Sequence, residues 1–399
     1  MILDRQQKGK TMDELYDAVV IGGGVAGLST AANVTEGNVL LLDKDKIRTK
    51  EKRYTRFAFL NSMDRFGLSN CILAKYDVLS YRSTSGSTFD FHFDDFEILL
   101  LDLGKIHGTL KNHVEKVQGI REGVEIIDVE QNNHKIDIKI SKNNNIETIS
   151  AKYLIDASGN DSFTRKKFNL KCPELYCPCL SAPFKSGYKG ESNVITFILP
   201  TDQFKSGGWI FPVDARNYTL GIADALKNIV SPTTLEKQFN NIQKHQILED
   251  LIKGGFREDW DMGIIPVGIS YPLVFNRICY IGDIIGQVNP WDMNGIRPIL
   301  ESSIMCANAI NLALKYENES LLENYQDNWN STYGPEYNTY NHWRKWTKST
   351  EEWERTSMRR MLDDFKKYGQ EHLLNRLRYY NMPVEGRNYL ENLKSRFSQ

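Results

Sequence analysis

Three glycines near the start of the chain carry the most specific chemistry. Gly22, Gly24 and Gly27 form G-x-G-x-x-G directly after an apolar run at 18–21. That spacing suits a pyrophosphate. Gly22 permits the tight strand-to-helix turn, Gly24 lets the backbone approach the phosphates, and Gly27 lets the helix pack on the strand. The helix, opened by Val25 and Ala26, points free N–H groups and its positive dipole end at the anion. Asp43 stands 21 residues past Gly22, at the end of a second apolar run at 38–42. A carboxylate there accepts hydrogen bonds from a ribose hydroxyl. Lys44, next to it, is assigned to the same site.

Two later stretches have the same character. Residues 152–155 read as a buried strand ending in Asp156-Ala157-Ser158-Gly159, followed by Ser162 and Arg165. Residues 277–281 read as another, ending in Gly282-Asp283 and leading through Gly286 and Asn294-Gly295-Ile296 into a long helix to about Lys315. Strand ends rich in glycine and small residues are where the backbone of a doubly wound sheet approaches its ligand. Asp156, Gly159, Gly282, Asp283, Gly286, Asn294, Gly295 and Ile296 therefore join the expected cofactor site.

The elements that must position these residues follow from periodicity. The opening is β-α-β. Residues 44–56 form a Lys/Arg-rich loop, which is either solvated or lies over phosphate with Arg48, Arg53 or Arg56. Helical spacing appears at 57–66 and 103–118. Strands are expected at 78–81, 88–93, 124–129, 135–140 and 146–149, with a hairpin turn at Asn143-Asn144-Asn145. Residues 175–270 turn β-rich at 194–199, 208–213, 218–223 and 260–270, with a helix at 235–254. From 321 onward the chain reads as helices rich in charge and aromatics, Trp329 and Trp353 among them. The fold class is α/β. A Rossmann-like dinucleotide domain spans 1–174 and returns at 273–318; an inserted β-sheet substrate domain fills 175–272; a helical region occupies 319–399.

Composition excludes several classes. At 399 residues, 41% hydrophobic and 25% charged, the chain can bury a large core and is not disordered overall. A net charge of −1 gives no support to nucleic-acid binding. No run of 18 apolar residues marks a membrane span, and the polar residues 1–13 lack a secretory signal's apolar segment. Six scattered cysteines suggest a reducing cytosol rather than a disulfide framework. Cys177-Pro178-Cys179 is badly placed for an unstrained disulfide, and no cysteine or histidine spacing suggests a metal site.

The three motifs, in this order, resemble the single-dinucleotide FAD flavoproteins of the hydroxylase superfamily. Gly-Trp-Ile-Phe-Pro at 208–212, Tyr-Thr-Leu-Gly-Ile at 218–222 and Gly-Asp-Ile-Ile-Gly-Gln-Val-Asn-Pro at 282–290 resemble the geranylgeranyl reductase family. The resemblance covers roughly 16–315. It implies FAD, with Asp43 on the adenosine ribose, Gly22, Gly24 and Gly27 at the pyrophosphate, Asp283 on the ribityl or pyrophosphate region, and Gly295 and Ile296 near the flavin. It implies that Trp209 and Phe211 line the substrate cavity, and that an isoprenoid or other prenyl chain has its double bonds reduced. One fingerprint without a second nucleotide domain implies an external electron donor, either ferredoxin-like or NAD(P)H. A lipid substrate also implies peripheral contact with a membrane surface.

The chain departs from the family in three places. Residues 47–55 hold no Cys and no Gly. The segment 101–105 offers Lys105 where members often carry Arg. Gly207-x-Trp209 replaces the usual Tyr-x-Trp, which enlarges the pocket. Other readings therefore stay open: a flavin monooxygenase or halogenase, a lycopene cyclase-like flavoprotein, or a regulatory flavoprotein using its aromatic C-terminal tail as a partner surface.

Overall fold

The computed structural model describes residues 15–49, 54–55, 63–83, 88–92, 98–132, 134–161, 163–199, 207–224, 232–289 and 293–346. Arg53, Arg56, Ser162 and the tail that holds Trp353 lie outside these, as does most of the helix expected at 57–66.

The chain opens with β1 (Leu15–Ile21), α1 (Val25–Asn33) and β2 (Val39–Asp43). Strands β3 (Tyr54–Thr55), β4 (Ile72–Tyr76), β5 (Val78–Ser83), β6 (Thr88–His92) and β7 (Ile98–Asp102) lead into α2 (Leu103–Val117). Next come β8 (Gly119–Glu122), β9 (Glu125–Gln131), β10 (Ile136–Lys142), β11 (Asn145–Asp156) and the short α3 (Phe163–Lys167). The second β-rich region holds β12 (Leu175–Lys185), β13 (Val194–Leu199), β14 (Gly207–Pro212), β15 (Tyr218–Ala223), α4 (Pro232–Gln243), β16 (Phe256–Arg257) and β17 (Asp261–Val267). The described chain closes with β18 (Val274–Phe275), β19 (Ile278–Tyr280), α5 (Ile296–Lys315) and α6 (Glu323–Trp346).

The first sheet runs β18-β19-β11-β1-β2-β8, with β9 and β10 attached to β11. Its central pairs, β19–β11–β1–β2–β8, are all parallel. Parallel strands are covered on both faces and read as apolar runs; Ala18, Val19, Val20, Leu41 and Leu42 are fully buried. The segments expected at 146–149 and 152–156 form one strand, because the 12 residues of β11 pair first with β10 and then with β1. Asn143 and Asn144 make the hairpin turn with φ of 51° and 65°, left-handed values that asparagine tolerates.

The second sheet runs β16-β12-β15-β14-β13-β5-β6, with β17 also on β12. Two of its strands, β5 and β6, come from before residue 175. Its even-numbered face packs Leu180, Ile210, Leu220 and Ile222 against Leu235, Phe239 and Ile242 of α4. The helix expected at 235–254 ends at Gln243. The His245 imidazole then caps a short 3-10 turn by accepting the Ile247 N–H at 3.2 Å. At the end of the described chain, Trp329 stacks on Tyr333 with ring centroids 4.5 Å apart. Both belong to the main core, so Trp329 is packing, not partner surface. No helix of the described residues is long and apolar enough to cross a membrane.

Candidate functional site

The parallel strands of the first sheet end together. Ile21 is in register with Leu42 and with Asp156, and Asp156 with Tyr280. The turns that follow are tied to one another. Gly22 N–H donates to Leu42 O at 2.8 Å, Ala157 N–H to Ile21 O at 2.8 Å, and Ile281 N–H to Asp156 O at 3.1 Å. Gly22 has φ +104°, and a β-carbon there would lie 2.3 Å from Ala157 O. A β-carbon at Gly27 would lie 1.8 Å from Gly22 O, so helix and turn touch backbone to backbone. At Gly24 a β-carbon meets nothing within 4 Å. α1 begins there with no side-chain cap and no acid in its first turn. Its first N–H groups have no intrahelical acceptor. Asp43 Oδ2 accepts the Gly23 N–H and Oδ1 the Asp45 N–H, which fixes its carboxylate beside the glycine turn.

A cavity of about 360 Å³ opens in front of this edge. Gly24, Val25, Ala26 and Gly159 line it from one side, and Asp283, Asn294, Gly295 and Ile296 from a second. α2 adds Leu103 and His107. The odd-numbered face of the second sheet forms the opposite wall, with Trp209 of β14, Cys179 and Ser181 of β12, and Asp261, Gly263 and Ile265 of β17. Successive residues of a strand face opposite ways, so this wall and the α4-covered core share the same strands.

Electrostatics distinguish the acids. Burial alone pushes the Asp283 carboxyl up to about 6, and among the described residues nothing donates to it. It is a carboxylate at the cavity wall that lacks a partner. Asp156 is different. It is fully buried, and burial also raises its pKa. Its carboxylate accepts the Ser158 N–H at 3.0 Å and the Thr164 hydroxyl.

Several expected residues are therefore not at the cavity. Asp156 turns inward and fixes the 157–159 turn and the start of α3. Lys44 sits on the surface in an ion pair with Asp161, which raises its pKa. Gly282 packs against α1, where its β-carbon would come 2.8 Å from Ala26 Cβ. Gly286 closes on the backbone of Gly268. Phe211, 1% exposed, packs on Trp209 and Phe197 behind the wall; Trp209 alone of the two lines it. Cys177 and Cys179 are not joined in a disulfide; their thiols donate to Asp224 O and Gly263 O, and Cys179 lines the cavity.

Other residues of the site carry no motif. Ser181, Asp261 and His107 line the cavity without a local signature, although the odd-even alternation of β12 and β17 places the first two on the wall once the strands are paired. Gln287 is fully buried behind the cavity. It accepts the Gly282 N–H at 2.7 Å and donates to Tyr325 Oη at 2.9 Å.

The arrangement fits a dinucleotide with a flat ring system: an uncapped helix N-terminus with open space at Gly24, a carboxylate fixed beside the turn, and, further along, the half-buried Asp283 carboxylate, to which nothing donates among the described residues. The family described as FAD binding domain matches residues 15–326. The chain is similar to the uncharacterized protein MJ1520 of Methanocaldococcus jannaschii, 20% identical over 337 residues, or 80% of this chain and 81% of that one. Its fold is similar to a geranylgeranyl bacteriochlorophyll reductase-like protein of Thermoplasma acidophilum, with TM-score 0.70, 17% identity, and 80% and 84% of the two chains covered. It is also similar to the p-nitrophenol 4-monooxygenase PnpA of Pseudomonas putida, with TM-score 0.70, 16% identity, and 92% and 98% covered.

Proposed function

We propose a function from one premise: the chain belongs to the FAD binding domain family. It is an FAD-dependent flavoprotein of the oxidoreductase type. FAD, when bound, supplies the two-electron redox chemistry that side chains lack. In our reading the α1 N-terminus at Gly24, Val25 and Ala26 holds the pyrophosphate, and Asp43 accepts a ribose hydroxyl. Asp283 takes a hydroxyl of the linker, which gives its half-buried carboxylate a donor. Gly159, Asn294, Gly295 and Ile296 bound the ring, and Trp209 faces it from the opposite wall.

The reaction we favour is reduction of double bonds in an isoprenoid chain. One observation carries it: beside the polar side chains Asp283, Asp261, Ser181, Asn294 and His107, the cavity is lined by apolar ones such as Leu103, Val288, Ile296, Ile299, Ile265 and Trp209. Such walls exclude water and hold a hydrocarbon against the cofactor side. The likeness to a geranylgeranyl reductase-like fold supports the same reading. Electrons come from a separate donor, a ferredoxin-like protein or NAD(P)H. The second reading, hydroxylation of an aromatic, draws on the fold likeness to a nitrophenol monooxygenase over nearly the whole of both chains.

The two readings separate in one experiment. The purified protein is reduced with dithionite and incubated in two arms, one without oxygen and with geranylgeranyl lipids, the other with oxygen and with both a phenol and those lipids, and both arms are sampled by mass spectrometry. Reductase chemistry adds two hydrogens per turnover. Oxygen-dependent addition of one oxygen to a phenol, with prenyl lipids unchanged, overturns the proposal in favour of the second.

A further inference from the structure

We infer that Arg297 and Arg65, beside the first turn of α5, form an oxyanion site separate from the cofactor cavity, which takes a phosphate or carboxylate group on the Arg297 guanidinium. The site goes beyond the reading of the chain as a reductase and does not rest on it.

Helix spacing builds the cluster. Arg297 and Glu301 stand four residues apart on α5, where side chains meet, and Arg297 Nε donates to Glu301 Oε1 at 3.2 Å. Arg65, from a 3-10 turn at Met63–Phe66, donates to the same oxygen, and the Tyr333 hydroxyl of α6 donates to Oε2. Burial acts to raise the Glu301 pKa, but Arg297, Tyr333 and Arg65 together hold the carboxyl below its usual range. Ile296 and Ile299, from the same turn of α5, line the cavity. Arg297 and Glu301 lie about 100° or more around the helix axis from Ile296.

One observation points to a ligand. Arg297 is 5% exposed, and its two terminal nitrogens, Nη1 and Nη2, are buried with no acceptor among the described residues. A guanidinium presents these N–H groups as a fixed fork that matches two oxygens of a carboxylate or phosphate. Buried donors left unanswered are costly and rare, and here the whole fork is idle. Charge agrees. The bonded group holds two cations, Arg65 and Arg297, and one anion, Glu301, so one positive charge is left over. Arg297 is also the second residue of α5, at the positive end of the helix dipole.

The way in is past Arg65. Side-chain exposure falls from 39% at Arg65 to 12% at Glu301 and 6% at Arg297, so Arg65 is the solvent side of the cluster. It rests on the Phe66 ring, with 4.5 Å from guanidinium carbon to centroid. Exposed side chains change rotamer within nanoseconds. Arg65 can therefore swing outward, admit an oxyanion to the Arg297 fork and close behind it as a second cation. An ammonium has no place there, because the Glu301 oxygens are already taken by Arg297, Arg65 and Tyr333.

The test uses the FAD-loaded protein, so that the α1 N-terminus is filled, at an ionic strength held constant with chloride. The probes are inorganic phosphate, acetate and monomeric dodecyl phosphate, followed by titration calorimetry and thermal melts. Phosphate is expected to bind, and to raise the melting midpoint by about 2–4 °C at about 100 times its Kd. Arg297→Lys keeps the charge and loses the fork, and is expected to weaken phosphate about tenfold. Arg297→Met is expected to abolish binding of phosphate and acetate alike. Both variants should bind FAD as the wild type does. Equal affinity for phosphate and dodecyl phosphate upholds the site as one for a free oxyanion. An ester held about tenfold or more tighter upholds it as one for the head of a phosphorylated lipid. No binding of phosphate or acetate by the wild type, or equal binding by the wild type and Arg297→Met, overturns the inference. Should Arg297→Met fail to fold, equal phosphate affinity in the wild type and Arg297→Lys overturns it.

Discussion

The indole of Trp209 lies across Gly221. A β-carbon at 221 would come 2.1 Å from both Cε2 and Cζ2 of the ring. The two residues are cross-strand partners, so the glycine on β15 sets how flat the tryptophan of β14 can lie on the cavity wall. Gly221→Ala is expected to lift the ring into the cavity or to overfill the wall, at a cost of about 1–3 kcal/mol. Urea unfolding and the emission spectrum of Trp209 measure the two effects. Wild-type stability with an unshifted spectrum would show that the ring does not depend on this gap.

The three fingerprint glycines should divide between binding and folding. Gly24→Val adds bulk where the protein itself offers nothing to strike. Cofactor-free stability should fall by about 1 kcal/mol or less, since glycine is a modestly favoured N-cap, while FAD binding is lost. Gly27→Ala places its methyl against Gly22 O and should cost about 2–3 kcal/mol before any cofactor is added. Isothermal titration with FAD and urea melts of the cofactor-free proteins separate the outcomes. Full FAD occupancy in Gly24→Val would sink the cofactor assignment.

Asp283 makes stability depend on pH. Its folded pKa of about 6 exceeds the ~3.9 of a free aspartate, so the folded protein holds the proton more tightly than the unfolded chain does. The cofactor-free protein keeps this contribution below about pH 4 and loses it as pH rises through about 6. Asp283→Asn should therefore stabilise the cofactor-free protein by about 1–3 kcal/mol at pH 7.5 and by nearly nothing at pH 4. The same substitution should weaken FAD, because the ionised carboxylate is the better acceptor for a hydroxyl. Equal stabilities at both pH values would place this side chain in water.

Gln287 joins three parts of the fold. Its amide holds the Gly282 turn, the Ser302 hydroxyl of α5 and Tyr325 of α6, and Tyr325 in turn donates to Tyr280 O at 2.9 Å. Gln287→Ala should leave buried donors without acceptors and cost about 2–3 kcal/mol. Thermal melts of the FAD-loaded and cofactor-free forms should fall together. A loss confined to the loaded form would mean that the network serves the ligand instead of the fold.

Local chemistry made the first wall of the site legible. Gly22 and Gly27 are constrained by the turn and by helix packing, with the open space of Gly24 between them, all within six residues of one another, so spacing is enough. Asp156 shows where that logic stops. Its strand ends as a ligand-facing strand does, but the carboxylate is satisfied by Thr164, whose position beside it depends on how α3 folds back. Phe211 and Trp209 share a face by alternation. Only pairing reveals that Trp209 has Gly221 beside it and Phe211 has Thr219. Ser181 and Asp261 are cavity neighbours for the same reason. Register between distant strands is a property of the assembled sheet, and neither residue's surroundings in the chain announce it.

The division of β5 and β6 from the rest of their sheet has a consequence for synthesis. Val78 pairs with Val194, so the strand waits on the ribosome until all of β8–β12 has emerged. During that interval β5 presents an unpaired parallel edge, the kind that recruits foreign strands. No cut at 175 gives two self-sufficient pieces, because the amino-terminal piece would keep two strands of a sheet whose centre it lacks. Translated alone, residues 1–174 should pellet while the full chain stays in the supernatant, and recovery should depend on how soon β13 arrives.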